Sequence, residues 1–237
     1  MKLLVSVLNS RDAVEAVEGG ADIVDVKNPA EGALGANFPW KIREVRDIVP
    51  SELEVSATIG NLPYLPGTAS LAALGAAVSG VNYIKAGLHG VKNSSQGFEI
   101  MQSICKAVEK ITPKVKVIAV GYADYRELGC INPLMLPDIS YKAGADGVMI
   151  DIDRKDEKRL FDYFKPTELK DFVNAAHHSN LIAALAGSLG PENVDAVSEV
   201  GADIFGVRRA VCSKAGLDRG SVNRSLVKKL ASTVRVC

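Results

Sequence analysis

Two lysines and two carboxylates stand where short apolar runs end, a placement that suits reactive groups. Asp25-Val26-Lys27 closes one run before the breaker Asn28-Pro29, and Tyr83-Ile84-Lys85 closes another before Ala86-Gly87. Asp151 closes a third, with Lys155 four residues beyond. Side chains alternate across an extended strand, so Asp25 shares a face with Lys27, Tyr83 with Lys85, and Met149 with Asp151. If Val24, Val26, Ile84, Val148 and Ile150 pack outward, these charged groups converge inward. Amines beside carboxylates suit Schiff-base chemistry, in which one lysine condenses with a carbonyl while a neighbour moves protons. A lysine at its reference pKa of about 10.4 must fall to about 7–8, a shift worth roughly 4 kcal/mol, before it attacks. Asp25 opposes that change on Lys27, so Lys85 and Lys155 must outweigh it, or Asp25 must be engaged elsewhere.

A structural ion pair between Asp25 and Lys27 is the competing reading. Buried pairs stabilise poorly because desolvation offsets their attraction, and charged groups converging from several strand ends have no structural need. Lys155 lies in a run of seven charged residues from Asp153 to Arg159, whose ordinary role is a solvated loop. Its place after the Asp151 strand makes it a candidate as well. Gly187-Ser188 follows one apolar run and Arg208 ends the last. Turns of this kind expose backbone N–H groups that hold phosphate, so Gly187, Ser188 and Arg208 form the expected phosphate corner; a tight turn beside an exposed arginine is the alternative. His89 is a further, weaker candidate, whereas His177-His178 reads as a helix end favoured by the helix dipole. No three ligand-type residues share a metal-site spacing, so neither metal nor cofactor is expected.

These positions need a frame, and an internal repeat supplies one. GGADIVDVK (19–27), SGVNYIKAG (79–87), AGADGVMID (143–151) and VGADIFGVR (200–208) share a helix-ending glycine, a small apolar residue, Asp or Asn, and a short apolar strand. The glycines Gly20, Gly80, Gly144 and Gly201 are 60, 64 and 57 residues apart. That period is two βα units, so four copies make eight. LLVSV (3–7), EVSATI (54–59), KVIAV (116–120) and LIAALA (181–186) supply the intervening strands. Helical spacing fills the gaps: Ala13 to Val17 after a Ser10 cap, Ile42 to Ile48 between Pro39 and Pro50, and Val194 to Val200 after Pro191. Apolar strands alternating with helices imply a covered parallel sheet, and eight units close it. The expected fold is a single (β/α)₈ TIM barrel, one domain over residues 1–237, with catalytic groups at the C-terminal ends of its strands. No GxGxxG follows the first strand, which argues against a dinucleotide fold.

Composition narrows the partners. The 237 residues carry 28 basic and 28 acidic side chains, so no basic field draws in nucleic acid or an anionic membrane. The first apolar run is too short to span a bilayer. Cys105, Cys130, Cys212 and Cys237 are widely spaced, which fits free thiols in a reducing cytoplasm, where the sequon at Asn93 goes unused. A small phosphosugar-type substrate is the expected partner. Oligomeric state stays open, a homo-oligomer included.

Six segments carry a family resemblance: DIVDVKNPAEGALGANFPW (22–40), VSATIGNLPYLPGTASLAALGAA (55–77), YIKAGLHGVKN (83–93), GYAD (121–124), ALAGS (184–188) and GVRRAVC (206–212). Together they resemble the (5-formylfuran-3-yl)methyl phosphate synthases of methanofuran biosynthesis, also called 4-(hydroxymethyl)-2-furancarboxaldehyde-phosphate synthases, over essentially the whole chain. The resemblance implies a barrel lyase that joins two molecules of glyceraldehyde 3-phosphate into a phosphorylated furan aldehyde, with loss of one phosphate and two waters. It further implies Lys27 as the Schiff-base lysine, Lys85 as the proton acceptor, Asp25, Asp151 and Lys155 as supporting charges, and the ALAGS and Arg208 region as the phosphate corner. The residues by themselves leave two alternatives standing. One is an aldolase or lyase that stops at the open-chain adduct, the other a barrel that binds sugar phosphates without turning them over.

Overall fold

The acid or amide of the repeated phrase has a physical job at the base of each even-numbered strand. In the computed structural model, which describes residues 1–154, 158–213 and 220–236, Asp22, Asn82, Asp146 and Asp203 each accept a backbone N–H from the preceding strand. The donors are Leu3, Val55, Val117 and Ala183, all at 2.8 Å. Each acid or amide also donates its own backbone N–H to the carbonyl of the same residue. One side chain therefore satisfies strand-end groups that would otherwise be orphaned. Just ahead of it, Gly20, Gly80, Gly144 and Gly201 hold φ between +80° and +92°, a conformation that closes a helix and that glycine adopts without a Cβ penalty.

Eight strands follow from this pattern: β1 (Lys2–Val7), β2 (Ile23–Val26), β3 (Glu54–Asn61), β4 (Tyr83–Gly87), β5 (Lys116–Tyr122), β6 (Gly147–Asp151), β7 (Ile182–Leu185) and β8 (Ile204–Val207). Each pairs in parallel with the next, and β1 pairs with β8, closing the barrel. The period of the repeat anticipates this architecture, a (β/α)₈ TIM barrel. Around it run α1 (Ser10–Gly19), α2 (Pro39–Ile48), α3 (Pro66–Ala77), α4 (Ser94–Ile111), α5 (Tyr125–Leu128), α6 (Leu136–Ala143), α7 (Leu160–Tyr163), α8 (Pro166–His178), α9 (Val194–Glu199) and α10 (Arg224–Val236).

Two local expectations are corrected. Asn9, not Ser10, caps α1: its backbone is extended and its side chain accepts the N–H of Asp12. An amide oxygen fills that role as well as a hydroxyl does. Pro191 opens a 3₁₀ turn, Pro191–Asn193, and α9 begins only after it.

Strand parity divides the core. Leu3, Val5, Val24, Val55, Ile84, Val117, Val148, Ala183 and Phe205 belong to the outer cluster packed with the helices. Leu4, Ile23, Tyr83, Ile118, Val120, Met149, Ala184 and Ile204 fill the lumen. On β1–β4 the lumen-facing set also holds Ser6, Asp25, Ser56, Thr58 and Lys85, all buried. The β5–β8 side is apolar at this depth. Half of the barrel interior is thus a polar wall that carries Asp25 and Lys85, while Asp151 ends β6 on the other side.

Candidate active site

A cavity of about 250 Å³ opens at the C-terminal ends of the strands, lined in part by Lys27, Lys85, Asp151, Gly187, Ser188 and Arg208. Every candidate from the sequence that falls among the described residues, apart from Asp25 and His89, reaches its wall. Asp25 lies just beneath, fully buried. Lys155 lies outside the described residues.

Asp25 gives both carboxylate oxygens to other partners. Its Oδ2 accepts from Lys85 Nζ at 2.7 Å and from Ser6 Oγ at 2.8 Å, while Oδ1 accepts from Ser56 Oγ at 2.6 Å. Three donors converge on Asp25 in the barrel interior, and its pair with Lys85 is almost fully buried. Of the two routes raised from sequence, these hydrogen bonds correspond to the second, in which Asp25 is engaged by other partners. Ser6 and Ser56 carry no sequence signal beyond parity, yet they complete this coordination.

Lys27 reaches the cavity past a loop folded over it. Its Nζ donates to Ala33 O at 3.2 Å. The loop turns through a 3₁₀ segment, Pro29–Glu31, and Asn28 N–H donates back to Gly35 O at 2.8 Å. Thr58 Oγ1 donates to the same carbonyl at 2.7 Å, and Asn61 Oδ1 accepts Leu34 N–H at 3.1 Å. A Cβ on Gly35 would stand 2.1 Å from Asn28 O, so the loop closes this tightly only with glycine there.

The β6 end is fixed by a residue that sequence reasoning left without a role. Asp124, buried, accepts the backbone N–H groups of Asp153 and Arg154 at 3.1 and 2.9 Å. It thereby anchors the chain that leaves Asp151. Asp151 itself accepts the N–H of Ile152 at 2.7 Å. Asp153 bonds Asn61 Nδ2 and stands 3.6 Å from His89 Nε2, which places His89 at the rim. His177 and His178 sit at the end of α8, His177 against Asp203 at 3.0 Å.

At the expected phosphate corner Gly187, Ser188 and Arg208 share the cavity wall with Arg209. Gly187 and Ser188 take φ of +104° and +57° in succession, and their N–H groups, like that of Arg209, have no partner among the described residues. Such a turn offers backbone donors to an anion. The guanidinium of Arg208 is buried, its two terminal nitrogens engaged and its Nε without a hydrogen-bond partner among the described residues. It donates to Ser6 O at 2.8 Å, Gly220 O at 3.1 Å and Asp12 Oδ2 at 3.3 Å. Arg208 therefore lines the cavity as a brace, and the neighbouring Arg209 is the one whose side chain contacts Ser188 Oγ.

Comparison with known proteins matches the sequence to a family. The sequence profile described as 4-HFC-P synthase matches residues 3–231. A (5-formylfuran-3-yl)methyl phosphate synthase from Methanocaldococcus jannaschii is 50% identical over 230 residues, 97% of this chain and 98% of the relative. One from Methanosarcina mazei is 50% identical over 233 residues, 98% of each. Among solved structures, KGPDC from Streptococcus mutans superposes with a TM-score of 0.68 at 14% identity, covering 99% of this chain and 97% of that one. Orotidine 5'-phosphate decarboxylase from Pyrococcus horikoshii gives 0.66 at 16% identity, covering 98% and 99%. These two likenesses concern the fold alone.

Proposed function

The chain belongs to the 4-HFC-P synthase family, and on that footing we propose that it makes (5-formylfuran-3-yl)methyl phosphate from two molecules of glyceraldehyde 3-phosphate through a Schiff base on Lys27. One phosphate and two waters leave, which balances two three-carbon phosphates against one six-carbon phosphate. The reading makes the chain a cytoplasmic lyase of methanofuran biosynthesis; free thiols at Cys105 and Cys130 are compatible with that setting.

The observation that carries this reading is the pair of amines on one cavity, Lys27 and Lys85, with Asp25 committed to the second. Lys27 condenses with the aldehyde of one triose, and the iminium draws electrons from the adjacent carbon. Lys85 takes the proton from that carbon. A proton leaving Lys85 has Asp25 Oδ2 only 2.7 Å away, so the pair works as a relay that frees the amine to accept. The enamine then expels phosphate or attacks the second aldehyde. Asp151 serves the later dehydrations, and Lys155, by resemblance alone, assists it. Gly187 and Ser188 hold a phosphate with their backbone N–H groups, and Arg208 braces that corner.

Borohydride reduction in the presence of glyceraldehyde 3-phosphate tests the assignment. Wild-type protein gains one triose-derived adduct on the peptide containing Lys27, and Lys27→Ala gains none while losing at least 10³-fold in furan formation. A trapped adduct that persists in Lys27→Ala refutes the Schiff-base role. Mass analysis of the product separates a furan aldehyde from an open-chain aldol adduct.

A further inference from the structure

β3 carries one residue more than its pairing with β4 needs. Ser56, Ala57 and Thr58 lie opposite Tyr83, Ile84 and Lys85, but Asn61, three residues past Thr58, lies opposite Gly87, only two past Lys85. Gly60 takes up the extra residue at φ +112°, a conformation that glycine adopts without a Cβ penalty. Strict alternation from Ser56 and Thr58 would turn Asn61 outward, to the side where Ile59 packs with the helices. The bulge reverses that and brings Asn61 to the cavity wall, and bulges beside reactive groups commonly re-aim a side chain in this way. Gly87 leaves the room for it: a Cβ there would stand 2.8 Å from Leu34 Cδ1 and closer still to Tyr122 Oη.

The amide of Asn61 joins three segments. Its Oδ1 accepts from Tyr122 Oη at 2.9 Å and from Leu34 N–H at 3.1 Å, and its Nδ2 donates to Asp153 Oδ1 at 2.5 Å. Tyr122 and Leu34 are fully buried in the lumen. Leu34 N–H belongs to the same peptide group as the Ala33 carbonyl, which accepts from Lys27 Nζ at 3.2 Å. A trans peptide is planar, with its N–H and C=O pointing opposite ways. Holding the N–H therefore aims the carbonyl, and an unbroken line of hydrogen bonds runs from Asn61 through one peptide plane to Lys27. Thr58 Oγ1 and Asn28 N–H pin the next residue through its carbonyl, Gly35 O, which fixes where the loop passes but not the tilt of the Ala33–Leu34 plane.

We propose that Asn61 is a positioning residue for Lys27, acting through the Ala33–Leu34 peptide. The inference rests on the Schiff-base role given to Lys27. An amine that becomes an iminium keeps one N–H, and Ala33 O is the acceptor towards which it points. That bond sets the rotation of the C=N group in the cavity. On its other side the amide is tied through Asp153 to the chain leaving Asp151, so the loop over Lys27 and the end of β6 are held in one arrangement. Without Asn61 the buried Leu34 N–H and Tyr122 Oη lose their shared acceptor, a state that buried polar groups avoid. The peptide then swings towards water and releases Lys27, whereas Lys85, held by Asp25, stays in place.

Acylation by acetic anhydride, followed residue by residue with peptide mass analysis, reads this directly, because Lys27 is 6% exposed and Lys85 3%. In Asn61→Ala, Lys27 is expected to react about tenfold faster than in wild type through local opening, with Lys85 unchanged. Turnover moves the other way: kcat falls about 10²-fold, the cost of a small misplacement of a reacting group, while KM stays within about threefold. Equal labelling of Lys27 in wild type and Asn61→Ala overturns the proposal. So does equal acceleration at Lys27 and Lys85, which is general loosening. If Asn61→Ala does not fold, an exchange of the two partners decides. Asn61→Asp sets two carboxylates against each other and speeds labelling of Lys27; adding Asp153→Asn restores a donor–acceptor pair and returns labelling towards wild type. Labelling that stays fast in the double variant overturns the proposal. A wild type that forms no borohydride adduct on Lys27 removes the Schiff-base reading instead, and the labelling contrast still tests the placement of the amine.

Discussion

At the scale of single residues, the outcome turns on which partner each buried charge finds. Asp25 is two residues from Lys27 on the same strand face, yet its oxygens go to Lys85, Ser6 and Ser56. Asp25→Asn keeps an acceptor for a serine but removes the charge proposed to receive the proton from Lys85. We expect kcat to fall about 10²-fold or more, within the usual worth of a positioned acid–base group. An unchanged kcat in steady-state assays would remove Asp25 from the relay. Asp12 is the hidden partner of Arg208, and it also accepts the N–H groups of Val222 and Leu8. Asp12→Ala strands a buried guanidinium, a loss of about 3–5 kcal/mol for such pairs. Chemical denaturation reads that loss directly. On the proposal that Arg208 braces a phosphate corner, KM is expected to rise more than kcat falls, and a pure loss of stability with unaltered KM would make the brace merely structural.

At the scale of elements, the strand-end turns carry the specialised backbone. Gly187 holds φ of +104°, and a Cβ there would lie 2.9 Å from Ile152 Cγ1. Gly187→Ala therefore meets both an unfavourable backbone and a clash, costing about 1–3 kcal/mol, and it shifts the N–H groups offered to phosphate. The expected result is a KM increase of tenfold or more. Ser188→Gly, which relaxes a φ of +57°, is the matched control and should hold stability or raise it. Equal KM values in wild type and Gly187→Ala would move phosphate binding away from this turn.

At the scale of the whole molecule, burial sets the response to alkali. Cys105 is pushed up to about 12 by burial, with Asp146 adding to it, and Cys130 to about 11 by burial and Asp124. Tyr122 is raised well above its usual value by burial, with Asp153 and Asp151 contributing. Raised folded-state values favour the neutral forms in the native protein. Their contribution is full below about pH 9, where the unfolded thiols are also neutral, and is lost as pH rises through 11 to 12. Calorimetric Tm should hold between pH 7 and 8.5 and fall steadily above 9; a Tm that climbs between pH 9 and 11 would contradict this. Sequence alone determined the barrel and the inward set. Helix-closing glycines and strand alternation are local, and the direction of a side chain on a strand follows from its own backbone. Asp25, Lys27, Lys85 and Asp151 could be placed that way. Tertiary structure decided the pairings. Lys85 meets Asp25 across 60 residues, and Asp12 meets Arg208 across 196. Such contacts depend on how strands register and which helix end lies over which loop, and no local pattern encodes that. For that reason the brace formed by Arg208, the anchor formed by Asp124 and the serines around Asp25 became visible only once the barrel had closed.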